Sequence, residues 1–191
     1  MAVKILVPAA VTALVLSTAL RVAPAAAQQP ASLASDSVFI QTTASLGLLQ
    51  VKLGKLAEKK GSSPSVVEFG RQMVTDYAKT NEELAAAAKR AAFPAPVLLR
   101  PHQQIFDRFS RMGRSSFDKN YMTEMVTQHR EEVRLFRQES ESGRVQLLKQ
   151  VASKLLPELQ QRLAVATQTA GSVGAQVTAS SAEAGQPPAG Q

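Results

Sequence analysis

The 191-residue chain has no cysteine and no tryptophan, and it carries only two tyrosines and two histidines. Thiol catalysis, disulfide staples and lipid attachment through a cysteine are therefore excluded, and the fold must rest on packing. The scarcity of aromatics removes the stacking platforms used by single-strand nucleic-acid binders. No alternating strand pattern of useful length is present, and no repeat of fixed period. Neither G-x-S-x-G nor G-x-x-x-x-G-K-[ST] occurs, so the sequence offers no nucleophile elbow and no phosphate loop. Serines fall mainly where helices would start or chains would turn, and no nucleophile–base arrangement is recognisable. An enzyme is not expected.

What is present begins with an address. Lys4 precedes the apolar run "ILVPAAVTALVLSTAL", which is followed by the small-residue stretch "PAAAQQP". This is the pattern of a signal peptide over residues 1–27, with Ala25 and Ala27 meeting the A-x-A rule and cleavage expected after Ala27. An uncleaved anchor is the alternative. The run is shorter than the about 20 residues a spanning helix needs, and Pro8 interrupts it. The mature chain is expected in the periplasm or the medium, with no transmembrane segment.

The net charge of +7 falls to +5 once Lys4 and Arg21 are set aside. Most bases alternate with acids, as in "EEVRLFRQESESGR", which suits a solvated helix surface better than a nucleic-acid groove. The densest basic stretch is "RPHQQIFDRFSRMGR", with Arg100, Arg108, Arg111 and Arg114 against Asp107 alone. It could touch anionic lipid or cell-wall polymer; a solvated connector is the plainer reading.

Helical periodicity dominates from residue 36 to 170, after a lead over 28–35 expected to be disordered. "DSVFIQTTASLGLLQVKLGKLAEKKG" has Asp36 as an N-cap, Gly61 as a stop, and Phe39, Leu46, Leu49, Leu53 and Leu56 on one face. In the next helix Ser63 caps and Pro64 takes the first position, with Val66, Phe69, Met73, Tyr77 and Leu84 inward. "FPAPVLLRP" breaks the chain, and a short helix is predicted from Pro101 to near Gly113. A third long helix follows, with Ser115 and Asp118 as a capping pair and Gly143 as its stop. Its stripe is Phe117, Tyr121, Met122, Met125, His129, Val133 and Phe136. The last helix turns Leu148, Ala152, Leu155, Leu159 and Leu163 inward and continues across Pro157, where a kink is expected. Residues 171–191, rich in glycine, alanine, serine and proline, cannot bury enough apolar surface to order themselves. Four amphipathic stripes that share one core make an all-α four-helix bundle, with a short extra helix in the central connection.

The stretches "LGLLQVKLGKLAEKK", "VVEFGRQMVTDYAKTNEEL", "FDKNYMTEMVTQHREEVRLF" and "LLPELQQRLAVA", in this order and spacing, resemble the bacterial exported proteins with domain of unknown function 4142. The resemblance runs from about Asp36 to about Ala170. It implies an up-and-down, ferritin-like four-helix bundle outside the cytoplasm, of unassigned biochemical role. It also implies three histidines, of which this chain keeps only the middle one, His129; Tyr77 and Arg162 stand at the other two places.

A di-iron centre needs carboxylates from two helices and Glu-x-x-His on each of the others. Leu99 and Val126 precede His102 and His129 by three, so the motif is absent. Zinc lacks its nitrogen and sulfur ligands. The remaining metal alternative is a soft one, copper, on Met73, Met122, Met125 and His129, although methionine at helical spacing is more often core filling. The other candidate constellation is a polar network of Asp76, Tyr77, His129, Glu132 and Arg162, which can fix helix register without chemistry. The sequence thus predicts a non-enzymatic structural or interaction module of the envelope, needing no cofactor. Its partner would be an envelope protein, a surface polymer or a second copy of itself, and not nucleic acid.

Overall fold

A computed structural model describes residues 29–177; the expected signal segment and the tail from residue 178 onward lie outside the described residues. Five helices follow one another: α1 (Gln29–Lys60), α2 (Pro64–Arg90), α3 (Arg100–Arg111), α4 (Arg114–Ser142) and α5 (Gln146–Ser172). Among the described residues there is no strand, and no helix is long and apolar enough to cross a membrane. Gly61 and Gly143 follow the ends of α1 and α4, Ser63 and Pro64 open α2, and α5 runs through Pro157.

The long helices form a square in which α1 packs on α2 and α4, and α5 packs on α4 and α2. The two hairpin turns are short, whereas residues 91–113 cross from one end of the bundle to the other, carrying α3 along α1. The directions are consequently up, down, down, up, the single-crossover connectivity of ferritin-like bundles. Every packed pair of long helices is antiparallel, so each helix dipole lies between two opposed neighbours.

Two aspartates that look like local caps serve distant turns instead. α1 begins at Gln29, upstream of Asp36, so Asp36 does not cap it, and the backbone of residues 29–35 is helical. The buried Asp36 carboxylate accepts the N–H groups of Arg144 (3.2 Å) and Val145 (2.8 Å), in the α4–α5 turn. Nor do Ser115 and Asp118 cap α4, which starts at Arg114 behind Gly113. Asp118 accepts the N–H groups of Ser62 (3.1 Å) and Ser63 (2.7 Å), in the α1–α2 turn. Each hairpin turn is thus held by an aspartate from the first helix of the other hairpin. Lys60, the last residue of α1, in turn donates to the carbonyls of Phe109, Ser110 and Met112 at the end of α3 (2.6–3.1 Å), where a cation meets the negative end of a helix.

Packing along α1 and α2 is tight enough to require glycine. A Cβ at Gly54 would stand 2.6 Å from the Gly70 carbonyl oxygen, and one at Gly70 would stand 2.6 Å from the Ala57 Cβ. The expected inward stripes are buried, except that Leu56 and Leu163 are half-exposed. The buried apolar residues fall into two clusters. One, around Leu53, Phe69, Phe117 and Ala166, fills the end near the α1–α2 turn; the other, around Phe39, Leu84, Phe136 and Leu155, fills the opposite end.

Candidate functional site: a polar layer between two apolar cores

Between the two clusters, each long helix contributes polar side chains to the interior. α1 supplies Gln50, α2 supplies Tyr77, Thr80 and Asn81, α4 supplies His129 and Glu132, and α5 supplies Arg162. The three places that the family resemblance assigns to histidine, now Tyr77, His129 and Arg162, all fall in this layer.

Glu132 is buried, and its Oε2 accepts the Tyr77 hydroxyl. Burial pushes its carboxyl up to about 7, against the opposing pull of the Tyr77 bond and the Arg162 charge. Burial, and then the neighbouring Glu132 charge, likewise raise the Tyr77 hydroxyl well above its ordinary value. Arg162 closes the layer from the α5 side. Its guanidinium donates to Thr80 Oγ1 at 3.1 Å and to Glu158 Oε2 at 3.3 Å, and its Nε lies 3.7 Å from Asp76 Oδ2. The guanidinium carbon sits 5.0 Å from the centre of the Tyr77 ring, a cation–π contact in a largely desolvated place. A cleft of about 210 Å³ between α2 and α5 opens over this group, lined by Gln72, Met73, Asp76, Glu158, Gln161, Arg162 and Val165.

His129 lies between the rings of Phe69 and Tyr77, at centroid distances of 6.2 and 6.0 Å. Its Nδ1 is 2.7 Å from the Met125 carbonyl oxygen, which can only accept, so Nδ1 carries the proton and Nε2 presents a lone pair. Burial lowers its pKa to about 4, and the imidazole is neutral near pH 7. Its Nε2, Glu132 Oε1 and both side-chain polar atoms of Gln50 are buried without a hydrogen-bond partner among the described residues.

Met73, Met122 and Met125 are fully buried and belong to the same apolar cluster as Tyr77. The Met125 contact with His129 is made by the backbone carbonyl and not by sulfur. Among the described residues no three His, Asp or Glu side chains converge in a metal-holding group, and a guanidinium stands in the layer, so the donor set does not fit a di-iron centre. Of the network candidates, the structure joins Tyr77 to Glu132 and Arg162 to Asp76, and it sets His129 against the Tyr77 ring.

Thr80 in the layer and Glu158, exposed at its edge, escape a reading based on single residue types. Their signal is spacing: Thr80 lies four after Asp76, and Glu158 four before Arg162. Another polar contact, outside the layer, engages His102. Its Nδ1 is 2.6 Å from Ser45 Oγ, which also accepts the Leu99 N–H at 2.8 Å, so the start of α3 is tied to α1. Partial burial lowers the His102 pKa.

No curated protein and no solved structure matches the chain. The family model described as "Domain of unknown function (DUF4142)" matches residues 21–169, and the chain belongs to that family.

Proposed function

We propose that this protein is an exported scaffold or interaction module of the cell envelope, whose polar layer fixes the register of the four helices and performs no chemistry. The observation that carries the reading is the placement of Arg162. A fixed guanidinium, engaged with Thr80, Glu158, Asp76 and the Tyr77 ring, occupies the middle of the bundle, where a metal cation would be repelled. The signal-like N-terminus supports export. The test is fractionation of expressing cells with N-terminal sequencing, joined to elemental analysis of the purified protein. A mature chain beginning at Gln28 outside the cytoplasm, without stoichiometric metal, is the expected result. A full-length cytosolic chain, or one loaded with metal, overturns the reading.

A second reading rests on the His129 Nε2 lone pair, which has no donor among the described residues and belongs to a helix that also buries Met122 and Met125. Thioether and imidazole suit Cu(I). Under that reading Cu(I) raises the melting temperature, and His129→Ala abolishes the rise. An unchanged melting temperature with Cu(I) sinks it.

A further inference from the structure

The charge of the folded domain is concentrated on one face. Residues 50–61 and 99–124 hold nine Lys and Arg against four Asp and Glu, a balance of +5. The rest of the described chain holds eleven against ten. The two basic segments form one surface, because α3 packs along α1. Lys52 Nζ lies 4.4 Å from the centre of the Phe106 ring, Arg114 donates to the Lys59 carbonyl at 2.6 Å, and Arg108 pairs with Glu124 of α4. On α1, Lys52, Lys55 and Lys59 are exposed at spacings of three and four. On α3, Arg100, Gln104, Arg108 and Arg111 are exposed at spacings of four, four and three, a row about 16 Å long at the helical rise. Lys55, Lys59, Arg100 and Arg111 have no carboxylate partner among the described residues.

We infer that this face binds a linear polymer of phosphate groups. The inference rests on the interaction-module reading and names its partner class. Charge complementarity supplies the attraction, and the guanidinium forks of α3 match phosphate oxygens. A bilayer surface fits less well. Helices that lie in a membrane interface bury an apolar face in it. Here Phe109 is buried, and Ile105, Phe106 and Met112 of this segment are packed against the bundle core. The large apolar residues most exposed among the described ones are Val38 and Val97, neither of them on α3. A row of cations without an insertable apolar face suits a chain of repeating anions.

The test uses the purified full chain, with long-chain inorganic polyphosphate as the probe, titrated at several salt concentrations. Saturable binding is expected, weakening steeply with salt as counterions are released. The variant Lys55→Gln/Arg100→Gln/Arg111→Gln is expected to bind more weakly, with a slope of log affinity against log salt shallower by about 2, near 0.7 for each charge removed. A control, Lys79→Gln/Lys89→Gln/Arg137→Gln, removes the same charge from other surfaces and is expected to retain parental affinity. All six side chains are exposed, so both variants should fold, and melting curves check that they do. Equal weakening in both variants, or an unchanged slope in the first, overturns the inference. So does binding to vesicles of phosphatidylglycerol and phosphatidylcholine in preference to the polymer. Failure here leaves the fractionation and metal results standing, so it is distinguishable from failure of the scaffold reading.

Discussion

The buried carboxyl of Glu132 makes stability depend on pH in a way that one substitution isolates. Glu132 is protonated in both folded and unfolded chains below pH 4.5 and ionised in both well above 7. Between those limits the unfolded chain has lost the proton and the folded chain keeps it, so stability falls as pH rises through the window. Each pH unit is worth about 1.4 kcal/mol, and the full span comes to about 3 kcal/mol. The group is fully buried, so solvent screening does not reduce that figure appreciably. Glu132→Gln keeps an oxygen that can accept the Tyr77 hydroxyl and removes the titration. The stability difference between parent and variant is therefore expected to change by about 3 kcal/mol from about pH 4.5 to about pH 8, in favour of the variant at the alkaline end. Urea unfolding followed by far-UV circular dichroism gives the difference at each pH. Subtraction matters, because Glu139 is also raised to about 7, by burial and by Asp36, and titrates over the same range in both proteins. His129 acts in the opposite sense. Its lowered pKa means stability present above 6.5 and lost as pH falls toward 4. In the parent the two contributions largely offset each other between 4.5 and 6.5; in the variant the His129 slope should stand uncovered, apart from that of Glu139. A difference that stays constant within about 1 kcal/mol over the whole range would refute the reasoning, because Glu132 would then ionise as an ordinary carboxyl.

Three further changes probe other parts of the fold. Tyr77→Phe leaves a buried Glu132 oxygen without its donor and should cost about 1–3 kcal/mol in urea unfolding near neutral pH, while raising the Glu132 pKa further. Gly70→Ala forces a Cβ into contact with Ala57 and the Gly54 carbonyl, so α1 and α2 must separate; a loss of about 1–3 kcal/mol is expected, read as a fall in melting temperature. Asp118→Ala removes the acceptor of two N–H groups in the α1–α2 turn, with an expected cost of about 0.5–2 kcal/mol. Its more specific signature is faster amide exchange at Ser62 and Ser63, with exchange in the α4–α5 turn unchanged.

The apolar stripes were legible because burial on one side of a helix imposes a period of three and four on the sequence. Even Arg162 obeys it: it follows Leu155 by seven and Leu159 by three, and it precedes Ala166 by four, so its burial could be read from spacing. What was not legible is whatever depends on a partner far along the chain. Asp36 and Asp118 have the residue type and position of local caps, yet their acceptor oxygens meet amides 108 and 56 residues away. The same holds for Ser45 and His102, 57 residues apart, each of which alone reads as an ordinary polar residue. Helix direction was also hidden. A stripe shows that a helix has a buried face but not which neighbour covers it, and only the length of the 91–113 crossover hints that α2 and α4 run parallel.

The position of the polar layer is informative in itself. Two cores of leucine, methionine, alanine and aromatics could tolerate a helix sliding along its neighbours, since apolar contacts are adaptable and weakly directional. Hydrogen bonds and ion pairs are not. Shifting α4 by one turn would part Glu132 from Tyr77, and shifting α5 would part Arg162 from Thr80 and Asp76, leaving buried polar groups unpaired. The penalty for slippage therefore lies midway between the two apolar ends, where it constrains both hairpins at once, and the reciprocal Asp36 and Asp118 bonds add a constraint at each end. Tyrosine and arginine can stand where the family resemblance implies histidine, provided that each finds partners in such a layer. Arginine finds several: hydrogen bonds to Thr80 and Glu158, an ion pair with Asp76 and the face of the Tyr77 ring. A metal centre has no such freedom, because its ligands must match one ion in number and geometry. With Arg162 so engaged in the middle of the bundle, the layer is equipped to hold the helices in register, and attention turns to the outer surface, where the concentrated positive charge is found.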